Sequence, residues 1–281
     1  MTQPPMFTEA DLTKALTDVG ARLAQNITAY LIGGCAMTFM GRKVATKDID
    51  IVLSSTGDAR QFTGAMHSLG FSDVHQLTSP YTRLGAFAIV EDARKMRFDI
   101  FDRQVYRALE LSKGMQSRAR LYKRFGSLDV YLMSPEDIFL FKGITEREAD
   151  LDDMRVLVEV GLNWRIIEGE CLTQQQSGRW AYLLGTKLMD LRAKFGIESP
   201  ITKTLMDRAD LDLLTYVFRE IIGDEERVFK EIAEMIREKY RYSASWTRQQ
   251  LRILVQKGIV GTNKKDRRVV YFMKKFRIRQ A

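Results

Sequence analysis

The sequence predicts an α+β fold: a mixed twisted sheet flanked by helices, then a helical region, then a small basic module. Three observations carry this. Short runs alternating apolar and polar residues recur between Tyr30 and Met133 and are interleaved with helical patterns, as a sheet with crossover helices requires. From Ser134 to Gly223 the apolar residues follow the helical period instead. Beyond Gly223 the charge changes: from Lys239 onward thirteen Lys or Arg residues stand against one acid, Asp266, in a chain of net charge +8. Domains are therefore expected at residues 1–133, 134–223 and 224–281.

Thr8 opens a helix, with Asp11 as its capping partner and Leu12, Leu16, Val19 and Leu23 along one face. Tyr30 to Leu53 follows and organises the rest. It reads as a buried strand, a Gly33-Gly34 turn, an apolar helix, a basic loop and a strand opening on Asp48-Ile49-Asp50. Phe62, Met66 and Leu69 predict a crossover helix over 57–69, closed by Gly70. Phe71–His75, Gly85–Val90 and Met96–Phe101 are predicted strands, with Tyr81-Thr82-Arg83 in a loop. A helix is expected over Gln104–Ser112. Arg118–Phe125 and Leu128–Met133 then form a hairpin turning at Gly126-Ser127, in a sheet of five or more strands.

Ser134-Pro135-Glu136-Asp137 is a helix start, with Ser as N-cap, Pro at the first helical position and acids in the first turn. Asp207–Ile222 is amphipathic. Helices over Glu225–Lys239 and Ser245–Lys257, a strand from Gly258, a basic turn Asn263–Arg268 and a strand Val269–Met273 together resemble a winged helix. The second helix becomes the recognition element and the turn the wing. One helix is missing from this pattern, because Tyr240-Arg241-Tyr242-Ser243 shows no sign of it. Arg248, Arg252, Lys264, Lys265, Arg267 and Arg268 are the candidate nucleic-acid contacts. Tyr240, Tyr242, Trp246, Tyr271 and Phe272 interleave with this basic tract, a mixture suited to phosphate contact and base stacking.

Composition narrows the class. At 281 residues and 45% hydrophobic content the chain can bury a substantial core. Its two cysteines are too few for a disulfide framework, MTQPPMFTEA lacks an apolar signal core, and no run reaches the length of a membrane span. A cytoplasmic protein with no membrane partner is expected. With only His67 and His75 and no CxxC, a zinc site is not.

The chemistry lies in the acids. Asp48 and Asp50 alternate in a strand, so they share a face with Cα atoms about 6.6 Å apart. Two carboxylates so placed clamp a hard cation such as Mg²⁺, which is held by one or two carboxylates together with substrate phosphates. Gly33 and Gly34 let backbone approach a phosphate. Asp99, beside Arg97 in a later strand, is a candidate third acid for a two-metal site, which could drive in-line displacement of pyrophosphate. A surface pair with Arg97, or a role falling to Asp102, is the competing reading of Asp99. Arg42 and Lys47 reach triphosphate or merely solvate a loop. Lys142 reaches phosphate or snorkels from an amphipathic helix. Asp150 and Asp153 pair with Arg147 or bind a ligand.

Gly33, Gly34, Asp48, Asp50 and Asp99 in this order resemble the minimal nucleotidyltransferase domain of the DNA polymerase β-like superfamily. The resemblance runs roughly from Ala29 to Gly161. Arg42…Thr46-Lys47-Asp48 and the downstream Glu136-Asp137…Lys142…Arg147…Asp150…Asp153 are closest to its abortive-infection toxin branch. The resemblance implies a fold of nucleotidyltransferase type, Asp48, Asp50 and Asp99 as metal ligands and catalytic acids, and Gly33, Gly34, Lys47 and Lys142 as nucleotide-binding residues. It further implies two Mg²⁺ ions, with Mn²⁺ able to replace them, and an NTP substrate. The acceptor expected is RNA, tRNA 3′ ends above all, and a toxin–antitoxin pairing would bring an antitoxin protein as partner. Transfer to a protein or small molecule, and a DNA-binding regulator built on the same scaffold, are the alternatives.

Overall fold

In the computed structural model, which describes residues 5–74, 85–105 and 109–274, the apolar runs pair into a seven-stranded sheet. Its strands, with those of two small pairs (β1 with β3, β8 with β9), are β1 (Phe7–Thr8), β2 (Ile27–Ile32), β3 (Ala45–Thr46), β4 (Asp48–Leu53), β5 (Ser72–Asp73), β6 (Ala88–Glu91), β7 (Arg97–Asp102), β8 (Gln104–Val105), β9 (Leu109–Glu110), β10 (Arg120–Phe125) and β11 (Leu128–Leu132). The large sheet runs β10-β11-β2-β4-β7-β6-β5 and is mixed: β11 with β2 and β4 with β7 are parallel, the others antiparallel. The expected α+β architecture is what the chain adopts.

Helices α1 (Glu9–Gly20), α2 (Gly33–Phe39) and α3 (Thr56–Ser68) pack beside the sheet. Phe98 is fully buried between Phe62 and Phe71, meeting Phe71 edge to face at 5.5 Å. A side chain buried to this degree contributes about 1.5–3 kcal/mol. Gly20 is needed because a Cβ there falls 1.7 Å from the Phe125 carbonyl oxygen, which lets α1 seat against the β10–β11 turn.

One element differs from expectation. Among the described residues of the Gln104–Ser112 stretch no helix forms: β8 and β9 pair there, with Val105 opposite Leu109. Helix α4 (Lys113–Arg118) begins only after Ser112, whose hydroxyl accepts from the Met115 N–H. Tyr81-Thr82-Arg83 and His75 lie outside the described residues.

After β11, Ser134 caps α5 (Pro135–Gly143) with Pro135 in its first turn. Helices α6 (Asp150–Glu159), α7 (Trp164–Thr173), α8 (Ser177–Phe195) and α9 (Thr202–Ile222) follow. The chain divides into two compact units between Met206 and Asp207.

The second unit is built on the end of α9 with α10 (Phe229–Tyr240) and α11 (Ala244–Gln256). Three strands complete it: β12 (Arg227–Val228), β13 (Val260–Lys265) and β14 (Arg268–Met273), in the order β12-β14-β13. Phe218, Ile222, Ile232, Ile236, Leu251 and Leu254 share its core. No further helix forms between α10 and α11, and the third helix of this core is the end of α9, which precedes both. Because β12 claims Arg227 and Val228, α10 starts later than Glu225. The basic turn is also shorter than expected: Asp266 and Arg267, both at positive φ, close the hairpin, while Asn263, Lys264 and Lys265 belong to β13 and Arg268 to β14.

Candidate active site

Strand register places the acids. In the parallel β4–β7 pair, Asp48 lies opposite Arg97 and Asp50 opposite Asp99, so the four side chains share one face. On the other side of β4, Asp50 pairs with Ile32, the residue before Gly33. Gly33 sits at φ +64°, and a Cβ there falls 2.1 Å from Asp50 Oδ2; at Gly34 it falls 2.7 Å from Thr46 Oγ1. The two glycines thus admit neighbouring side chains, and the first of them seats the Asp50 carboxylate.

That carboxylate is 8% exposed. Among the described residues neither it nor the Asp48 carboxylate has a hydrogen bond or an ion-pair partner within salt-bridge distance. Burial first, then Asp48 and Asp99, hold Asp50 well above the usual carboxylate range, with Arg147 and Lys142 pulling it back. Asp99, 1% exposed, differs: Arg97 donates to both its oxygens, Nε to Oδ1 and Nη2 to Oδ2, each at 2.5 Å. Burial still lifts its pKa, against these bonds.

Asp48 and Asp50 line a cleft of about 210 Å³ together with Gly34, Lys43, Lys47, Lys142 and Arg147, among others, whereas Asp99 is not in its lining. No group of three or more His, Cys, Asp or Glu side chains among the described residues forms a metal cage. A magnesium site needs none, since that ion keeps waters and takes substrate phosphates as ligands. Two same-face carboxylates, one buried without a paired cation, suit such an ion, because an uncompensated buried carboxylate is unfavourable.

Residues 11–174 match the family described as "Nucleotidyltransferase of unknown function (DUF6036)". The chain belongs to that family. No curated protein matches it. The matched span of this nucleotidyltransferase holds Gly33, Gly34, Asp48, Asp50, Asp99, Lys142 and Arg147, and stops before the second unit.

Around the acids the basic residues divide into two kinds. Lys47 lines the cleft, exposed and with no ion pair among the described residues. Lys142 does not snorkel. It is 4% exposed, its ammonium 3.0 Å from Asp150 Oδ1 and 2.6 Å from Asp153 Oδ2. Arg147 donates to Asp150 at 3.0 Å. Burial lowers the Arg147 pKa, but Asp150, Asp50 and Asp48 outweigh it and the net shift is upward. Arg42 stands outside this cleft and lines another cavity.

Two lysines escape a reading of the sequence. Lys43 donates to both oxygens of Asp153 at 3.0 Å; its place in a basic loop beside Arg42 is the one local signal. Lys187 of α8 donates to the Arg147 carbonyl at 2.8 Å and so fixes that segment, a contact across 40 positions that no local pattern announces.

In the second unit, Arg248 and Arg252 line a cavity of about 310 Å³ with Tyr271, and the Arg248 guanidinium lies 4.2 Å from the Phe229 ring centre. Lys264, Arg267 and Arg268 are exposed. Lys265 is engaged, 2.6 Å from Glu226. Tyr242 stacks on Trp246 at 4.0 Å.

Proposed function

We propose that this protein is a Mg²⁺-dependent nucleotidyltransferase that moves a nucleoside monophosphate from an NTP to RNA. One observation carries it. A buried aspartate, Asp50, stands beside Asp48 and opposite Asp99 with no paired cation of its own, over Gly33, in a cleft that Lys43, Lys47, Lys142 and Arg147 line together with Asp150 and Asp153.

Asp48 and Asp50 hold the ion, and Asp99 completes the set for a second one; Mn²⁺ is the natural substitute by ligand type. An ion that Asp48 and Asp50 would hold there would, when bound, supply Lewis-acid polarisation of the α-phosphate and offset the charge on the leaving pyrophosphate. The acceptor oxygen forms a bond to the α-phosphorus, the α–β bridging bond breaks, and pyrophosphate leaves. Asp99, once the Arg97 fork on its two oxygens opens towards the cleft, takes the acceptor proton. Lys47 meets the triphosphate. Lys142 adds positive charge while holding Asp150 and Asp153 in place.

The second unit acts as a winged-helix-like RNA-docking module, with α11 as recognition helix and the β13–β14 hairpin as wing. Its order of helix, strand, two helices and hairpin supports this, as does its basic C-terminal part. The likeness to toxin-type enzymes favours tRNA 3′ ends as the acceptor and an antitoxin as protein partner.

Purified protein incubated with labelled NTPs, Mg²⁺ and total tRNA is expected to label RNA, and Asp48→Ala to reduce labelling to background. Labelling that survives the substitution rules this mechanism out. Label found instead on a protein removes RNA as acceptor.

A further inference from the structure

A second cavity, about 720 Å³ in volume, lies in the first unit next to the acid cleft. Its size is that of pockets that enclose organic ligands. Helix α6 connects the two. Asp150, Asp153, Leu157 and Val160 follow the spacing that puts side chains on one helix face. The first pair lines the acid cleft and the second pair the cavity, over about 15 Å of helix rise. Helix α5 does the same, with Lys142 in the cleft and Pro135 in the cavity. The loop after α2 separates the two, with Arg42 facing the cavity and Lys43 the cleft.

The lining has two characters. Met40, Leu132, Leu157 and Val160 give it an apolar wall. Arg42 and Arg120 are exposed at its edge, on separate elements, and neither makes an ion pair among the described residues. The other charges there are engaged: Arg118 by Asp137 and Glu170, and Glu136 by the Asn163 N–H. Two available guanidinium groups above an apolar wall match a ligand with anions along one edge and flat apolar faces on the other, which describes successive nucleotides.

We propose that this cavity holds the 3′-terminal nucleotides of a single-stranded RNA acceptor, phosphates on Arg42 and Arg120 and bases against the apolar wall. The proposal rests on the transferase reading and deepens it. RNA seated here approaches the acid cleft along α6, so a terminal hydroxyl is delivered towards Asp48 and Asp50. The wall has no aromatic side chain, so it selects for flat apolar shape with little base preference.

The test uses the full chain and a short single-stranded RNA carrying a photoreactive thiouridine at its 3′ end. Crosslinks are expected at Met40–Arg42 or Leu157–Val160, equally in wild type and in Asp48→Asn, since seating precedes chemistry. Arg42→Glu with Arg120→Glu, both exposed and therefore safe for folding, is expected to weaken RNA binding about tenfold or more. It raises the acceptor KM while leaving the NTP KM alone. Crosslinks confined to residues 207–281, or charge reversals that leave yield and acceptor KM unchanged, overturn the proposal. The two readings fail separately. Crosslinks in the cavity without transfer by any version remove the enzyme and keep the site, whereas Asp48-dependent transfer with crosslinks elsewhere does the reverse.

Discussion

At Gly33 a single methyl group decides whether the acids can sit as they do. A Cβ there falls 2.1 Å from Asp50 Oδ2, and the backbone at φ +64° is strained for any other residue. Gly33→Ala is therefore expected to destabilise the protein by more than the roughly 1 kcal/mol of an average substitution. It also turns Asp50 away and abolishes transfer, whereas Gly41→Ala, which shares the strained backbone at φ +66° but whose Cβ meets nothing, costs stability and leaves activity in place. Calorimetry with a labelling assay separates the two. Asp50 itself gives a prediction in pH. Burial, then Asp48 and Asp99, raise its pKa in the folded chain above the unfolded value near 3.8. Between those two values the folded state keeps a proton that the unfolded state has released, so stability falls as pH rises through the interval. Asp50→Asn removes that cost. Without added metal, the variant is expected to melt above wild type at neutral pH, and the two to converge as pH drops towards 3.8. A gain that persists undiminished in acid refutes the assignment of a buried, unpaired carboxylate.

Between elements, the join of α5 to α6 is electrostatic. Lys142 is buried among Asp150 and Asp153, which also hold Arg147 and Lys43. Removing one partner of a buried pair leaves its counter-charge stranded, at about 3–5 kcal/mol. Lys142→Met is expected to lose that much in urea unfolding. Adding Asp150→Asn and Asp153→Asn restores a good part of it, and failure to restore any would show the lysine acting through packing alone. Elements of this kind differ in how legible they are in the sequence. Helix α5 announces itself, because Ser134 and Pro135 act within one turn of the chain. Asp48 and Asp50 are legible for the same reason, since two-residue alternation alone puts them on one face. Gln104–Ser112 misleads because Val105 and Leu109 also stand four apart, as on one face of a helix. What makes Leu109 and Glu110 a strand is distant: Gln174 accepts from the Glu110 N–H at 2.9 Å and donates to its carbonyl at 3.0 Å, completing the edge of β9 as a further strand would. The Arg97 fork on Asp99 is one of the readings the strand alternation leaves open, but the approach of Arg147 to the acids depends on the fold of α5 and α6 and on Lys187.

At the scale of the molecule, charge is the feature most unevenly distributed. The chain carries +8 overall, but its C-terminal stretch from Lys239 alone carries +12 and the rest sums to −4. If the second unit docks RNA, its affinity must fall with salt in proportion to the phosphates it neutralises, with a slope of about 0.7 per phosphate on single strands. Replacing Arg252, Lys264, Arg267 and Arg268 by Gln is expected to make the plot of log affinity against log salt shallower by about that amount for each phosphate no longer neutralised. The NTP KM is expected to stay as it was. Lys265 supplies the control. Its ammonium already lies 2.6 Å from Glu226, so Lys265→Gln removes a charge with little left for phosphate and moves the slope less than its neighbour Lys264→Gln. Both side chains carry the same formal charge and stand one residue apart on β13. Equal effects from the two would mean that only net charge matters, and an unchanged slope in the quadruple variant would take RNA docking away from this unit.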